Sequence, residues 1–361
     1  MGVTQSFILF LGIFLLSTIL INIGNRKIGA IRNFFIIIGL LLPVLLSTFR
    51  TVGTDYGTYL SIFNHSSDLD LLTMLTVELG YKEIGNTVII WIASILGSFR
   101  WYLFIYSSAT IVLTYNALKK LSPENITISY FVYLTMYFTQ SMNIIRQSLA
   151  VAIIFYGYYY LIQRDLKKYL VICIIATSFH MSALIAFPLF FFLDENNNIR
   201  KKLFIVFSFF LIFAVLNYEK FFLFIGGINS FGFDRYTEYA SYSGSIDTNN
   251  KIFFMNLFIF LIVFIFRKKM FKNDKLYFFY YLMIVGLIFG ISGFFSPYLK
   301  RLSLYSEIVY IVVLPMLTDM FEGVNEKILL KYLLFISCVM YFFIAYTWLK
   351  FGAIIPYETF F

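Results

Sequence analysis

Long apolar stretches separated by short polar segments run along the whole of the 361-residue chain. A helix needs about 20 apolar residues to cross a bilayer, and most of the stretches come close to that length. They lie at residues 5–22, 30–48, 84–97, 101–118, 127–142, 146–162, 168–193, 202–217, 252–266, 276–295, 303–318 and 328–350. The pattern predicts one transmembrane domain over residues 1–361: an all-α polytopic membrane protein, a bundle of roughly 11–13 transmembrane helices including re-entrant or half helices.

Composition agrees with a membrane protein and excludes an ordinary soluble domain. The chain is 60% hydrophobic and only 13% charged, whereas a soluble protein carries about 25% charged residues. The formal net charge is +9, but the basic residues stand in short clusters between apolar stretches. Such dispersal is typical of the positive-inside rule, so we expect membrane lipid rather than nucleic acid around the protein.

Six basic loops predict the orientation of the bundle. Taken as cytoplasmic, they hold 18 of the 28 lysines and arginines, at residues 23–32, 119–126, 163–168, 194–202, 267–275 and 319–331. Between the outer loop at 49–83 and the cytoplasmic loop at 119–126 the chain can cross the membrane only once. The stretch 84–97 is therefore expected to be a half helix or a re-entrant piece. The parity of crossings also requires the stretch 168–193 to break between residues 180 and 188. Both chain ends are predicted outside, as are two large loops, an amphipathic one at 49–83 and a second at 217–251.

Polar residues inside apolar stretches predict a cavity that opens outward. An arginine at the centre of a bilayer costs about 3 kcal/mol on insertion scales, so it usually faces water or a partner. Gln140, Asn143, Arg146 and Gln147 recur every three or four residues and therefore share one helix face. His180 interrupts the next apolar stretch. These residues are expected to point into the protein.

The loop at 49–83 is expected to contain a short amphipathic helix at the membrane interface. Tyr56, Tyr59 and Phe63 are spaced i, i+3, i+7, although such a helix could equally cap the bundle. The sequence also leaves alternatives open for the polar residues before it. Arg50 could reach lipid phosphates, and Asp55 could cap the helix.

Two further segments carry polar and aromatic residues on the predicted outer side. Arg301 and Tyr305 share a helix face with Tyr298. The loop at 217–251 is rich in glycine and tyrosine, and its rings could stack on sugars or anchor at lipid headgroups.

The residues expected around the cavity suit a reaction on a diphosphate. Guanidinium groups bind diphosphate oxygens bidentately and keep their charge, and a carboxylate or histidine can take a proton from an attacking hydroxyl. With two histidines and no HExxH motif, we expect no metal and no other cofactor. The candidate catalytic residues are Asp55, Glu78, Arg146 and His180, and the candidate substrate-binding residues are Arg50, Tyr56, Tyr59, Gln147, Arg301 and Tyr305.

Several of these residues stand in motifs that resemble the EpsG family. Residues 50–56, RTVGTDY, with Tyr59 and Phe63, resemble its RxxGTDYxxYxxxF signature. Residues 78–81, ELGY, are similar to its E-P-G-Y/F element, with Leu79 in place of the usual proline. Residues 143–150 resemble its RQxLA block and residues 179–185 its FHxSALI block. Arg301 with Tyr305, and residues 356–357, are similar to weaker motifs near its end.

The resemblance implies a polymerase of bacterial surface polysaccharide, of the Wzy type, in the cytoplasmic membrane. Its substrate would be an undecaprenyl-diphosphate-linked oligosaccharide, and a chain-length regulator is a further partner that the resemblance allows. It also implies a fold related to the C-type glycosyltransferases and a site needing no nucleotide sugar. A lipid-linked oligosaccharide flippase or exporter, or a glycan ligase, is the alternative, with a structural membrane component as a third interpretation.

Overall fold

A computed structural model describes residues 1–78, 83–193, 200–227 and 246–360. Over these ranges the protein is an all-α membrane bundle. Arg50 and Thr359 form an isolated antiparallel β-bridge. Six helices in the described ranges are long and apolar enough to cross a membrane, which confirms the predicted fold class.

The main helices follow the apolar stretches of the sequence. They are α1 (Val3–Asn25), α2 (Gly29–Thr48), α3 (Tyr56–Ser66), α4 (Ile84–Ile95), α5 (Phe99–Leu121), α6 (Ile126–Tyr133), α7 (Ile145–Ile162), α8 (Leu166–Phe179), α9 (Lys201–Leu216), α10 (Tyr218–Gly226), α11 (Ile246–Ile265), α12 (Asp274–Ile291), α13 (Pro297–Asp319) and α14 (Val324–Phe342). Shorter helical turns join them. The π-helical turns lie at Met74–Glu78, Leu134–Phe138 and Phe343–Trp348, and a 3₁₀ helix lies at Met181–Phe192.

The helices α7 and α13 form the centre of the bundle. Over an apolar segment of 18 residues in each helix, 67% of the residues of α7 and 78% of those of α13 are buried. The corresponding values are 28% for α1 and 22% for the helix that contains α14. Outer helices can expose apolar side chains because lipid replaces water around them. The polar residues of α7 and α13 are therefore held inside the protein.

Small residues let α1 and α2 pack closely at one side of the bundle. The Ser17 hydroxyl donates a 2.5 Å hydrogen bond to the Gly39 carbonyl. A Cβ atom at Gly39 would lie 3.1 Å from that serine's carbonyl oxygen and from the Ile21 side chain. Such small-residue contacts allow membrane helices to approach one another.

The basic loops at 119–126, 267–275 and 319–331 lie together at one end of the bundle. Asn125 Nδ2 lies 2.6 Å from Asp319 Oδ2, and Lys275 Nζ donates to the Leu121 carbonyl at 2.7 Å. At the opposite end the two chain ends meet, since the Tyr357 amide donates to Ser6 Oγ at 2.8 Å. These three loops thus share one end and the chain ends the other. Which end faces outward stays a prediction.

Both expected irregularities of the backbone are present. Helix α4 has 12 residues, or about 18 Å at 1.5 Å per residue, too short to cross a bilayer. Helix α8 ends at Phe179, His180 is extended with φ −155° and ψ 121°, and the 3₁₀ helix follows. The amphipathic helix expected after Asp55 is α3, and it buries Tyr59 and Phe63. Residues 228–245 of the second predicted outer loop lie outside the described residues.

Candidate functional site

Arg146, in the first turn of α7, forms an ion pair with Glu83. Its Nη1 contacts Glu83 Oε2, and the Glu83 side chain is 4% exposed against 21% for Arg146. Glu83 directly precedes α4, where the positive end of the helix dipole favours a carboxylate. The pair therefore joins α4 to α7 and holds one edge of the guanidinium.

Tyr59 of α3 lies beneath the same guanidinium. The distance from Arg146 Cζ to the centre of the Tyr59 ring is 5.5 Å, within the range of a cation–π contact. Burial raises the pKa of the Tyr59 hydroxyl, so it stays protonated. Arg146 Nε is buried without a hydrogen-bond partner among the described residues. A buried donor of this kind is costly unless a ligand or water uses it.

Asp55 and Arg301 form a second, more open ion pair. Arg301 Nη2 lies 3.7 Å from Asp55 Oδ2, and the two side chains are 37% and 24% exposed. Asp55 precedes α3 but makes no capping hydrogen bond through its side chain. Instead, its Oδ1 accepts a 3.0 Å hydrogen bond from the Thr54 hydroxyl. Both charged groups therefore face a space that a ligand can enter.

The two ion pairs are joined through Gln147. Its Nε2 donates a 2.9 Å hydrogen bond to the Arg301 carbonyl. Because Gln147 follows Arg146 directly, this bond fixes the first turn of α7 against the first turns of α13. The two arginines are thereby held next to each other on separate helices.

His180 lies beside these pairs, at the break after α8. Its Nδ1 accepts a 3.2 Å hydrogen bond from the Ser182 amide and lies 2.7 Å from the Ser182 hydroxyl. That hydroxyl is 2.9 Å from the Tyr305 hydroxyl. The Met181 amide lies 3.5 Å from Glu83 Oε1. The break thus brings His180 close to the Arg146–Glu83 pair and to α13.

A polar cavity of 220 Å³ adjoins Arg301. Its lining includes three cationic side chains, one carboxylate and three amides: Lys300, Arg301, Lys350, Glu307, Gln140, Asn143 and Asn256. Lys300 is 7% exposed and Glu307 6%. Charged groups this deep in a membrane bundle are costly and usually serve a function. The cavity is therefore part of the candidate site.

Comparison with known proteins gives a family. The model of the EpsG family matches residues 32–359. The chain belongs to the EpsG family. No curated protein and no solved structure matches it.

In this EpsG family protein, most of the residues predicted from the sequence come together. The ion pairs and hydrogen bonds above link Asp55, Tyr59, Arg146, Gln147, His180, Arg301 and Tyr305. Tyr56 packs edge-on against Phe99 at 5.5 Å. Glu78 ends a π-helical turn, its side chain lies outside the described part of the chain, and so do residues 79–82.

The predicted role of Arg50 as a substrate ligand needs correction. The side chain is 1% exposed, and its guanidinium donates to the carbonyl oxygens of Ser47 and Met142 and to Ser47 Oγ. These bonds tie the end of α2 to the turn before α7. Arg50 therefore holds the backbone in place and does not reach lipid phosphates.

Reasoning from the sequence also missed Glu83, Lys300 and Glu307. Glu83 ends the polar loop at 49–83, and the signal was its position directly before an apolar helix. Glu307 was visible as an acidic residue inside the apolar stretch 303–318. An acidic residue in such a stretch predicts a function by itself.

Proposed function

We propose that this EpsG family protein is a polymerase of bacterial surface polysaccharide. It would transfer an undecaprenyl-diphosphate-linked glycan onto the next lipid-linked repeat unit at the outer side of the cytoplasmic membrane. The observation that carries the proposal is the pair of arginines on α7 and α13, each facing a carboxylate and joined through Gln147. Membership of the EpsG family supports it.

In this reaction the bond between the anomeric carbon and the diphosphate oxygen breaks as a bond to the acceptor hydroxyl oxygen forms. Negative charge develops on the departing diphosphate, and fixed guanidinium groups stabilise it. Arg146 and Arg301 would supply these guanidinium groups, with Arg146 Nε as a further hydrogen-bond donor. Glu83 would keep Arg146 in position.

Asp55 is the better candidate for the group that takes the proton of the acceptor hydroxyl. The backbone amide of Ser182 can only donate, so His180 Nδ1 is the acceptor in that bond. A neutral His180 then carries its proton on Nε2 and acts as a donor. Asp55 Oδ2 lies 3.7 Å from Arg301, beyond ordinary hydrogen-bond distance. Its lone pairs can therefore accept a hydrogen bond from a substrate.

The distribution of polar groups favours a polymerase over a flippase. The ion pairs lie at one end of the bundle, where the turn before α7 contacts the segment 350–353 near the chain's end: Asn143 Nδ2 donates to the Gly352 carbonyl at 2.7 Å. A flippase needs a polar path that opens to both sides. A ligase uses the same chemistry on a different acceptor, so the product distinguishes it.

The test is a gel of surface glycan from a strain that lacks the gene and carries plasmid-borne variants. We expect single repeat units at the surface without the gene, and full-length polymer restored by the wild type and by the control Arg267→Lys. Arg146→Lys should reduce polymer about 100-fold, because lysine cannot form the bidentate contact. Repeat units trapped on the cytoplasmic face would overturn the proposal in favour of a flippase. Full-length polymer that accumulates on the lipid carrier in the strain without the gene would favour a ligase.

A further inference from the structure

An apolar groove runs along the lipid-facing side of the bundle between α11, α13 and α14. Its volume is 410 Å³, and it is lined by residues such as Phe258, Ile262, Leu314 and Leu333. Phe258 is 66% exposed and Leu333 50%, so the groove is open to the membrane. From Leu330 to Tyr341 on α14 it extends for about 16 Å at the rise of a helix.

The groove adjoins the polar cavity at Tyr341. This residue lines both spaces. Its hydroxyl donates a 3.2 Å hydrogen bond to Asn256 Oδ1, and Asn256 lines the polar cavity. The apolar groove and the polar cavity therefore meet at a single tyrosine–asparagine contact.

A second groove on α14 offers an internal comparison. It has a volume of 500 Å³ and is lined by residues of α1, α6 and α14, among them Ile19, Phe131 and Phe335. It shares no lining residue with the polar cavity. Of these two grooves, the one that contains Leu333 shares a lining residue, Tyr341, with the polar cavity.

The charges at the polar end fit an anion. Lys300, Arg301 and Lys350 face the cavity together with Glu307, which gives three cationic groups against one carboxylate. Asp55 pairs with Arg301 from the side. A site that is apolar along its length and cationic at its end is complementary to an amphiphile with a long hydrocarbon chain and a diphosphate head.

We propose that the groove and the cavity together bind one polyprenyl diphosphate carrier. Its prenyl chain lies along Leu333 and Phe258, passes Tyr341, and places the diphosphate at Lys300 and Arg301. This inference rests on the proposed function and extends it. Arg146, joined to the Arg301 carbonyl through Gln147, then reaches the same diphosphate from α7.

The experiment uses the purified full-length protein in lipid nanodiscs and a prenyl diphosphate with a photoreactive group at the end of its chain. Leu333→Trp fills the groove. Ile336→Trp is the matched control, because Ile336 lies on the same helix, is 52% exposed and lines neither groove. We expect Leu333→Trp to lower labelling about tenfold and Ile336→Trp to leave it unchanged. Cross-links in the wild type should map to the residues that line the groove.

Three outcomes would overturn the inference. Equal labelling of the two variants would show that the chain lies elsewhere. Cross-links confined to the second groove would move the carrier to the other side of α14. Equal labelling by a prenol without diphosphate would identify an ordinary lipid surface. Labelling does not depend on turnover. If the wild type makes polymer but shows any of these results, the proposed binding groove is refuted and the polymerase function is not. If the groove is labelled but the protein makes no polymer, the polymerase function is refuted and the binding groove is not.

Discussion

Gln147 and Arg301 lie 154 positions apart in the chain, yet Gln147 Nε2 donates a 2.9 Å hydrogen bond to the Arg301 backbone carbonyl. The bond joins the residue after one arginine to the main chain of the other. It therefore fixes the spacing between the Arg146–Glu83 and Arg301–Asp55 ion pairs without using any of their charges. A reaction that relies on two positioned guanidinium groups is sensitive to that spacing.

Gln147→Leu tests this coupling. The variant keeps the volume of the side chain and removes the donor, which leaves the Arg301 carbonyl without this partner at a cost of about 1–3 kcal/mol. We expect a lower melting temperature of the purified protein and shorter surface polymer. Gln163→Leu, at the exposed end of the same helix, is the control and should change neither. Wild-type polymer length in Gln147→Leu would show that the bond has no part in positioning the arginines.

Asp55→Asn distinguishes the two candidate bases. Asparagine keeps the shape and the contact with Thr54 but cannot take a proton at neutral pH. The rate of polymer formation should fall by a factor of about 10²–10⁴ with an unchanged melting temperature. The measurement is turnover by the purified protein of lipid-linked repeat units isolated from the deletion strain.

The matched variant for this test is His180→Asn. Asparagine is a good N-cap and can accept the Ser182 amide in place of Nδ1. We therefore expect a much smaller loss than in Asp55→Asn. The opposite order, with Asp55→Asn active and His180→Asn inactive, would assign the base to His180.

Much of the bundle could be predicted because the signals are local. The polar residues Gln140, Asn143, Arg146 and Gln147 predicted an inward-facing group, but the prediction that they share one helix was wrong, because a turn at residues 142–144 divides them. The parity of basic loops predicted the break after α8 at His180. Both depend on neighbouring residues and on the bilayer thickness, which are fixed before tertiary packing is known.

The pairing of charges could not be predicted because it depends on contacts between distant segments. Glu83 and Arg146 are 63 positions apart, and the sequence does not distinguish Glu78 from Glu83 as the partner. Arg50 has the same difficulty. Its position at the end of α2 suggested contact with lipid phosphates, but the partner carbonyl of Met142 lies 92 positions away. Tertiary packing determines that Arg50 bonds to backbone carbonyls and that Arg146 lies in the candidate site.

Arg50→Met should therefore affect stability rather than chemistry. Burial lowers the pKa of the Arg50 guanidinium to about 10, so the group is charged at neutral pH and its loss leaves the Ser47 and Met142 carbonyls unsatisfied. We expect a cost of about 1–3 kcal/mol for each of them, seen as a lower melting temperature and a lower amount of protein in the membrane. Polymer formed per folded molecule should stay near the wild-type level. A fully stable variant without activity would return Arg50 to the substrate site.

Glu83→Gln tests whether Arg146 is an anion site. Glutamine keeps the shape but leaves Arg146 without its carboxylate, which costs about 3 kcal/mol, the low end for a buried pair because Arg146 is 21% exposed. Lys331→Gln breaks the more exposed Lys331–Asp319 pair and should cost about 1 kcal/mol or less. Inorganic diphosphate should raise the melting temperature of Glu83→Gln more than that of the wild type, because Arg146 then has no competing carboxylate and an anion that binds it stabilises the folded protein by linkage. If diphosphate shifts Glu83→Gln no more than it shifts Lys331→Gln, Arg146 does not bind the diphosphate of the substrate.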